Sequence, residues 1–274
     1  EIARSHLIPK LLNDHGLRSG DLKIPVALIR LLIEQYTREA GVRQLERTLA
    51  SVIRKVARER MESAHVPSTL KLDAQWVERQ LGPSTHPPHE HETIAEHGLA
   101  LGLGWTPSGG EILFMEATCL PGTGKLILTG SLGDVMKESA QAALTHLRSQ
   151  AQTMGLNLPP MDEHDIHLHV PAGATPKDGP SAGICIFAAL ASLFLKRKLP
   201  SRVAMTGEIS LRGRVLPVGG IREKLLAAVR CGMREVLLPE ANRRAWDEVP
   251  VEVQKRLKIH WVKNVEDMMG VLFQ

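Results

Sequence analysis

The sequence predicts an α+β protein, a small N-terminal helical bundle followed by a mixed α/β domain. Three observations lead there. Apolar residues recur with helical spacing through about the first eighty residues. From Gly82 to Glu92 the chain reads GPSTHPPHEHE, proline-bearing and polar with nothing to pack, which is the composition of a linker. Beyond it, short β-type runs alternate irregularly with strongly helical ones. The expected division is a helical module over residues 1–82, a linker over 83–97 and a mixed domain over 98–274.

In the helical module, VALIRLLIEQYT (26–37) is an apolar helix, and a longer helix follows the break at Gly41. There Leu45, Leu49, Val52, Ile53 and Val56 share one stripe, while Arg47, Arg54, Lys55 and Arg58 are displaced from it. This helix is amphipathic with a basic outer face. TLKLD (69–73) reads as a short β piece leading into the helix AQWVERQL (74–81). Past the linker, the strand-like pieces are ALGLGW, EILFMEATCL, LILTG, DIHLHVP, RVAMTGEIS, GRVLPV, EVLLP and LKIHWV. Helices are expected at about 133–155, 180–197, 221–231 and 264–272. No internal repeat has a solenoid period.

With 274 residues, 43% of them apolar, the chain can build a real core. A formal charge of +4 permits contact with polyanions without demanding it. The longest apolar run, AGICIFAALASLFL (182–195), is too short to cross a bilayer and reads as a buried helix, so no membrane partner is expected. Cys119, Cys185 and Cys231 form no C-x-x-C pair, which suggests neither a disulfide framework nor a thiolate zinc site and points to a reducing compartment. The opening EIARSH, with no methionine and no signal segment, gives the expectation of an interior stretch of a longer polypeptide.

Several motifs invite chemistry that their context does not support. PGTGKL (121–126) looks like a phosphate loop, yet Cys119 stands where that pattern wants glycine and Leu126 where it wants serine or threonine; a strand-to-strand turn is expected. His86, His89 and His91, with Glu90 among them, lie in a linker that neither orients their rings nor backs them with hydrogen bonds, so a solvated tether is expected. His167 and His169 share one strand face without a third ligand at a recognisable spacing. They read as polar strand residues near a site, and no metal is expected.

Gly179, Ser181 and Gly183 spell G-x-S-x-G, the pattern of a turn that presents a nucleophilic serine. A helix starts at Pro180 on this reading, which puts Ser181 in a first turn whose N–H groups have no intrahelical acceptor. Such a turn is a ready oxyanion site beside a hydroxyl. Equally, Ser181 could be a small first-turn residue capped by Asp178 or Gly179. The residues alone leave both readings open.

A candidate base is a lysine. In GGIREKLLAAV (219–229), Ile221, Leu225, Ala228 and Val229 make an apolar stripe, and Lys224 falls on it. A lysine there either snorkels its head to water or is desolvated. Desolvation would carry its pKa from about 10.4 towards about 7, at a cost of roughly 4 to 5 kcal/mol, and would make it a usable general base for a serine hydroxyl.

PKDGPSAG (176–183), followed by MTGEISLRGRVLPVGGIREKLLAA (205–228), resembles the proteolytic domain of the Lon protease family, in which serine and lysine form a catalytic dyad without histidine. The resemblance extends through LGLGWTPSGGEILFMEATCLPGTGKLILTGSLGDVMKESAQAALTHLR and DIHLHVPAGATPKDG, and so covers 98–274. TREAGVRQLERTL (37–49) is similar to the last, helical subdomain of the family's AAA+ ATPase. The resemblance implies Ser181 as nucleophile and Lys224 as general base, with Thr206 holding the lysine. It implies a regulatory role for Asp178, which approaches the lysine in inactive forms. Glu116, His167 and His169 match polar positions near the groove, the N–H groups of Ser181 and Ala182 the oxyanion site, and Arg43 the sensor-2 arginine that reaches bound nucleotide. Two departures are GLGW for the commoner GLAW, and AAVR for AAHR, where Val229 removes a histidine from near the dyad.

The implied activity is that of a serine endopeptidase, the proteolytic part of an ATP-dependent enzyme that degrades unfolded or damaged proteins. Substrate would lie extended along a sheet edge near 98–119. No cofactor is expected for these residues themselves; the full-length enzyme would use ATP and Mg2+. The resemblance also implies a homohexamer, weak DNA binding, and a bacterial cytoplasmic location or, alternatively, the mitochondrial matrix. Two rival readings are an α/β-hydrolase-like serine hydrolase with His260 as base, and a non-catalytic nucleic-acid-binding module using the basic helix at 47–60.

Overall fold

The computed structural model describes residues 1–18, 20–37, 39, 41–62, 72–85, 96–107, 109–171, 173 and 175–273. His86, His89, Glu90 and His91, and residues 69–71 of the expected β piece, lie outside these described residues. The chain divides into two compact units, Glu1–Glu90 and His91–Gln274.

The first unit is helical, as its periodicity predicts. A π-wound turn, Ala3–Leu7, runs into α1 (Ile8–Asp14), followed by α2 (Val26–Tyr36), α3 (Arg43–Glu62) and α4 (Ala74–Leu81). The five stripe residues of α3 are all buried, and Leu49, Val52, Ile53 and Val56 pack with Leu32 of α2 and Val77 of α4. Asp73 caps α4 by accepting from Trp76 N–H at 2.9 Å. Glu59 of α3 then accepts from Gln80 Nε2 (2.6 Å) and Trp76 Nε1 (3.3 Å), tying the two helices together.

The second unit is built on a mixed sheet. Its elements are β1 (Leu99–Thr106), β2 (Gly109–Pro121), β3 (Leu126–Thr129), α5 (Asp134–Gln150), β4 (His164–His169), α6 (Gly183–Leu195), β5 (Val203–Met205), β6 (Glu208–Ile209), β7 (Val215–Leu216), α7 (Ile221–Arg230), β8 (Glu235–Pro239), α8 (Arg243–Trp246), α9 (Val251–Gln254), β9 (Lys258–Val262) and α10 (Val265–Leu272). Strand order is β3-β4-β2-β1-β5-β8-β9, with β6 and β7 as a separate hairpin. β1, β5, β8 and β9 run parallel, whereas β2 is antiparallel to both of its neighbours. The sheet buries both faces around its middle: Met115, Ile166, Leu168 and Leu237 face α5, α6 and α10, while Leu103, Ala204, Val236 and Leu238 face α7 and α9. α6 is apolar on nearly every side because it lies inside this core.

The expected single strand RVAMTGEIS is divided in two. Strand β5 stops at Met205 and β6 starts at Glu208; Thr206 N–H still donates to Leu237 O of β8 at 3.2 Å, whereas the N–H and C=O of Gly207 turn to the Ser181 turn and the start of α6. The helix expected to reach 155 ends at Gln150, and a turn closes behind it with Leu156 N–H on Ala151 O across Gly155 at φ +65°.

Candidate active site

Ser181 sits where a loop becomes a helix. Gly179, at φ +117°, turns the chain into a 3-10 turn, Pro180–Ala182, which continues into α6. Glycine suits that positive φ and proline the first helical position. From the β5–β6 junction, Gly207 N–H donates to Ser181 O at 2.9 Å, and Gly207 O accepts from Ile184 N–H at 3.1 Å. From α5, Ser139 Oγ donates to Pro180 O at 3.4 Å. Asp178 Oδ1 accepts from Met136 N–H (3.0 Å) and Gly179 N–H (2.8 Å), so this carboxylate caps α5 from outside the helix. The Ser181 N–H has no hydrogen-bond partner among the described residues. In a 3-10 turn of this span the Ala182 N–H points back to the start of the turn.

Lys224 comes from α7, which presses closely on β2. A side chain at Gly110 would run into the Glu223 carbonyl, and Arg230 Nη2 donates to Gly110 O at 2.7 Å. Lys224 is 3% exposed, so its head is desolvated and does not snorkel. Its Nζ donates to Thr206 Oγ1 at 3.0 Å, and the wholly buried Thr206 hydroxyl donates onward to Ser181 O at 3.2 Å. Burial pulls the Lys224 pKa from 10.5 to about 8. The lysine is thereby joined through one hydroxyl to the backbone of the serine. The Ser181 hydroxyl makes no hydrogen bond among the described residues, and such nucleophile–base contacts often tighten only in the substrate complex.

The loop that starts α7 is held by residues the sequence reading missed. Val218 N–H donates to Asn242 Oδ1 (3.0 Å) and Val218 O accepts from Asn242 Nδ2 (2.9 Å), so one side-chain amide imitates a strand partner. Gly220, at φ +68°, lies against the Trp105 ring, whose carbons would stand 3.1 to 3.2 Å from a Cβ there. Asn242 lies after β8, remote in sequence from Val218, and carries no local signal of this role.

The remaining candidates lie elsewhere in their bonding. Glu116 is paired with His169, and Thr118 with His167, across β2 and β4. Thr129 Oγ1 is 2.8 Å from His167 Nε2 and 2.7 Å from His169 Nδ1. Among the described residues no hydrogen bond joins Glu116, His167 or His169 to Ser181, Thr206 or Lys224. Nor, among those residues, could any group of three or more His, Cys, Asp or Glu hold a metal ion. His260 Nε2 bonds the Glu235 carboxylate, and Ser181 is reached by a loop long after β4 has ended, so a histidine-base hydrolase is not favoured. The PGTGKL stretch is the turn between β2 and β3, where Asp165 Oδ1 accepts from Thr123 N–H (2.7 Å) and Lys125 N–H (2.8 Å). The chain's own carboxylate thus takes the N–H groups that a phosphate would need. Arg43 is the exposed first residue of α3 in the helical unit.

The structure thus has a helical unit and a mixed-sheet unit in which a buried lysine is tied to the backbone of a helix-start serine. Comparison defines the class, an ATPase lid joined to a proteolytic domain: the family model of the Lon protease (S16) C-terminal proteolytic domain matches residues 71–274, and that of the Lon protease AAA+ ATPase lid domain matches 13–68. The chain is 47% identical over 274 residues to a Lon protease of Desulfovibrio desulfuricans, covering 100% of this chain and 31% of the relative. It is 48% identical over 273 residues to Lon protease 2 of Sorangium cellulosum (100% and 34%), and 44% identical over 272 residues to a Lon protease of Halothermothrix orenii (99% and 34%). The chain belongs to the Lon protease family. It spans about a third of the length of these curated relatives.

Proposed function

We propose that residues 98–274 form a serine endopeptidase domain using Ser181 and Lys224, linked through 83–97 to a helical ATPase lid over 1–82. The observation that carries this reading is the desolvated Lys224 amine, bonded to Thr206 Oγ1, which itself bonds the Ser181 carbonyl. At a pKa of about 8 the lysine is neutral in about a tenth of molecules at pH 7, against roughly one in three thousand for an ordinary lysine. Neutral Lys224 accepts the Ser181 proton as Oγ attacks the scissile carbonyl. The Ser181 N–H, with Ala182 N–H if it leaves the turn, stabilises the oxyanion. The lysinium protonates the departing amine, forming the acyl-enzyme, and water attacks the ester by the same route to restore Ser181.

β1 and β2 lie inside the sheet, but the β2–β4 ladder covers only Glu116–Pro121. An extended substrate would lie along the β1–β2 region, near residues 98–119, and bond by backbone, which tolerates many sequences. Asp178 would regulate by leaving its cap on α5, with Glu116, His167 and His169 as polar surroundings of the groove. The whole protein would degrade unfolded or damaged proteins as a homohexamer in a bacterial cytoplasm, using ATP and Mg2+ with Arg43 as the nucleotide sensor, and would bind DNA weakly. Among the described residues no helix is long and apolar enough to cross a membrane. Ser181→Ala and Lys224→Ala should each abolish cleavage of an unfolded protein such as reduced casein; substantial cleavage by Lys224→Ala would sink the dyad.

A further inference from the structure

The loop leading to Ser181 contains a second buried lysine that the proposed chemistry leaves unused. Lys177 is 6% exposed, and among the described residues its Nζ donates to three main-chain carbonyls: Gly130 O at 3.1 Å, Thr175 O at 3.2 Å and Val170 O at 3.4 Å. A neutral amine has only two N–H groups to donate, so these three acceptors already exceed what it can serve and call for an ammonium. Lys224 differs in this respect, since its single acceptor among the described residues is a hydroxyl. The two buried lysines thus meet different surroundings, three carbonyls around Lys177 against one hydroxyl beside Lys224. Burial lowers the Lys177 pKa from that of an ordinary lysine, and the Glu111 carboxylate opposes that shift in part.

The carbonyls around Lys177 come from the ends of two neighbouring strands and from the loop between them and the serine. Gly130 directly follows β3 and Val170 directly follows β4. They approach so closely that a side chain on Gly130 would overlap the Val170 carbonyl. Carbonyl oxygens gathered this way repel one another unless a cation sits among them. The same residue is stitched down by its backbone: Lys177 N–H donates to Ser131 O (3.0 Å) and Lys177 O accepts from Gly133 N–H (2.7 Å). Asp178 follows as the cap of α5, then Gly179 and Pro180, then the nucleophile.

We propose that Lys177 is a positioning residue for Ser181, an internal cation filling a cage of main-chain carbonyls whose closure fixes where the serine turn sits. The inference rests on Ser181 being the nucleophile. It requires that the cage accept a small cation once the lysine head is removed.

The test uses the whole chain, wild type and Lys177→Ala, Lys177→Met and Lys177→Arg, with kcat and KM for a fluorogenic peptide. Lys177→Ala should lower kcat about 100-fold, as expected for a displaced nucleophile, with KM changed less than about threefold. Methylammonium should restore at least about tenfold of that loss, while tetramethylammonium at equal ionic strength, which has no N–H to donate, restores nothing. Lys177→Met, which fills the space, should be slow and not rescued, and Lys177→Arg should retain more activity than either. Should Lys177→Ala be too unstable to assay, methylammonium should raise its melting temperature and leave that of the wild type unmoved. Wild-type kcat in Lys177→Ala, or a loss that methylammonium does not reverse in rate or stability, would overturn the assignment. Full cleavage by Ser181→Ala would instead remove the underlying proposal of the nucleophile.

Discussion

Replacing Lys224 by methionine should silence cleavage and at the same time stabilise the fold. Methionine keeps most of the apolar stem and volume of the lysine but has no charge to desolvate. The Lys224 pKa is about 8 in the folded protein and 10.5 in an ordinary environment. Between these values the unfolded chain binds the proton and the folded one does not, so stability rises with pH across that window. Below about pH 8 the whole penalty is present, about 3 kcal/mol at about 1.4 kcal/mol per tenfold change in acidity. Thr206 keeps its bond to the Ser181 carbonyl in the variant, so no buried donor is orphaned. Calorimetric unfolding at pH 7 should therefore show the transition of the His91–Gln274 unit raised by roughly 6–12 °C. At pH 11 the gain over wild type should have disappeared. A variant no more stable than wild type at pH 7, or one equally stabilised at both pH values, would refute the claim that Lys224 is held desolvated against its charge.

Three further outcomes are expected. In the wild type, kcat/KM for a peptide should rise with pH along a limb of apparent pKa near 8, because the protonated amine cannot accept the serine proton; a limb near 6.5 would indicate a histidine. Thr206→Val removes the acceptor of the Lys224 ammonium, so kcat should fall about 10- to 100-fold while the limb moves to lower pH, a combination that simple loosening of the site would not give. Asn242→Asp keeps the acceptor for Val218 N–H but sets a carboxylate oxygen against Val218 O; denaturant unfolding should show a loss of about 1–3 kcal/mol, with kcat reduced because the loop before Lys224 is released.

What could be read from residues alone follows the range of the forces involved. The α3 stripe and the apolar α6 were legible because amphipathic and buried helices write their packing at short sequence intervals. Lys224 was legible for the same reason, since a lysine on an apolar stripe is a local contradiction, although only the fold distinguishes a buried head from a snorkelling one. The break of RVAMTGEIS at Gly207 was not legible, because the backbone partners of Gly207 are Ser181 and Ile184, which lie outside the segment. Asn242 and Lys177 were missed on similar grounds: each acts by bonding main-chain groups brought near only by the fold, and an asparagine after a strand or a lysine in a loop looks ordinary. The PGTGKL turn shows the reverse, a motif with suggestive local chemistry whose N–H groups are already taken by Asp165.

The most direct measurement is the pH dependence of covalent capture by a peptidyl boronate or fluorophosphonate, with the modified residue mapped by mass spectrometry. The expected result is modification of Ser181 at a rate that climbs with an apparent pKa near 8 and collapses in Lys224→Met. Modification of another residue, or equally fast capture at Ser181 without Lys224, would contradict the dyad.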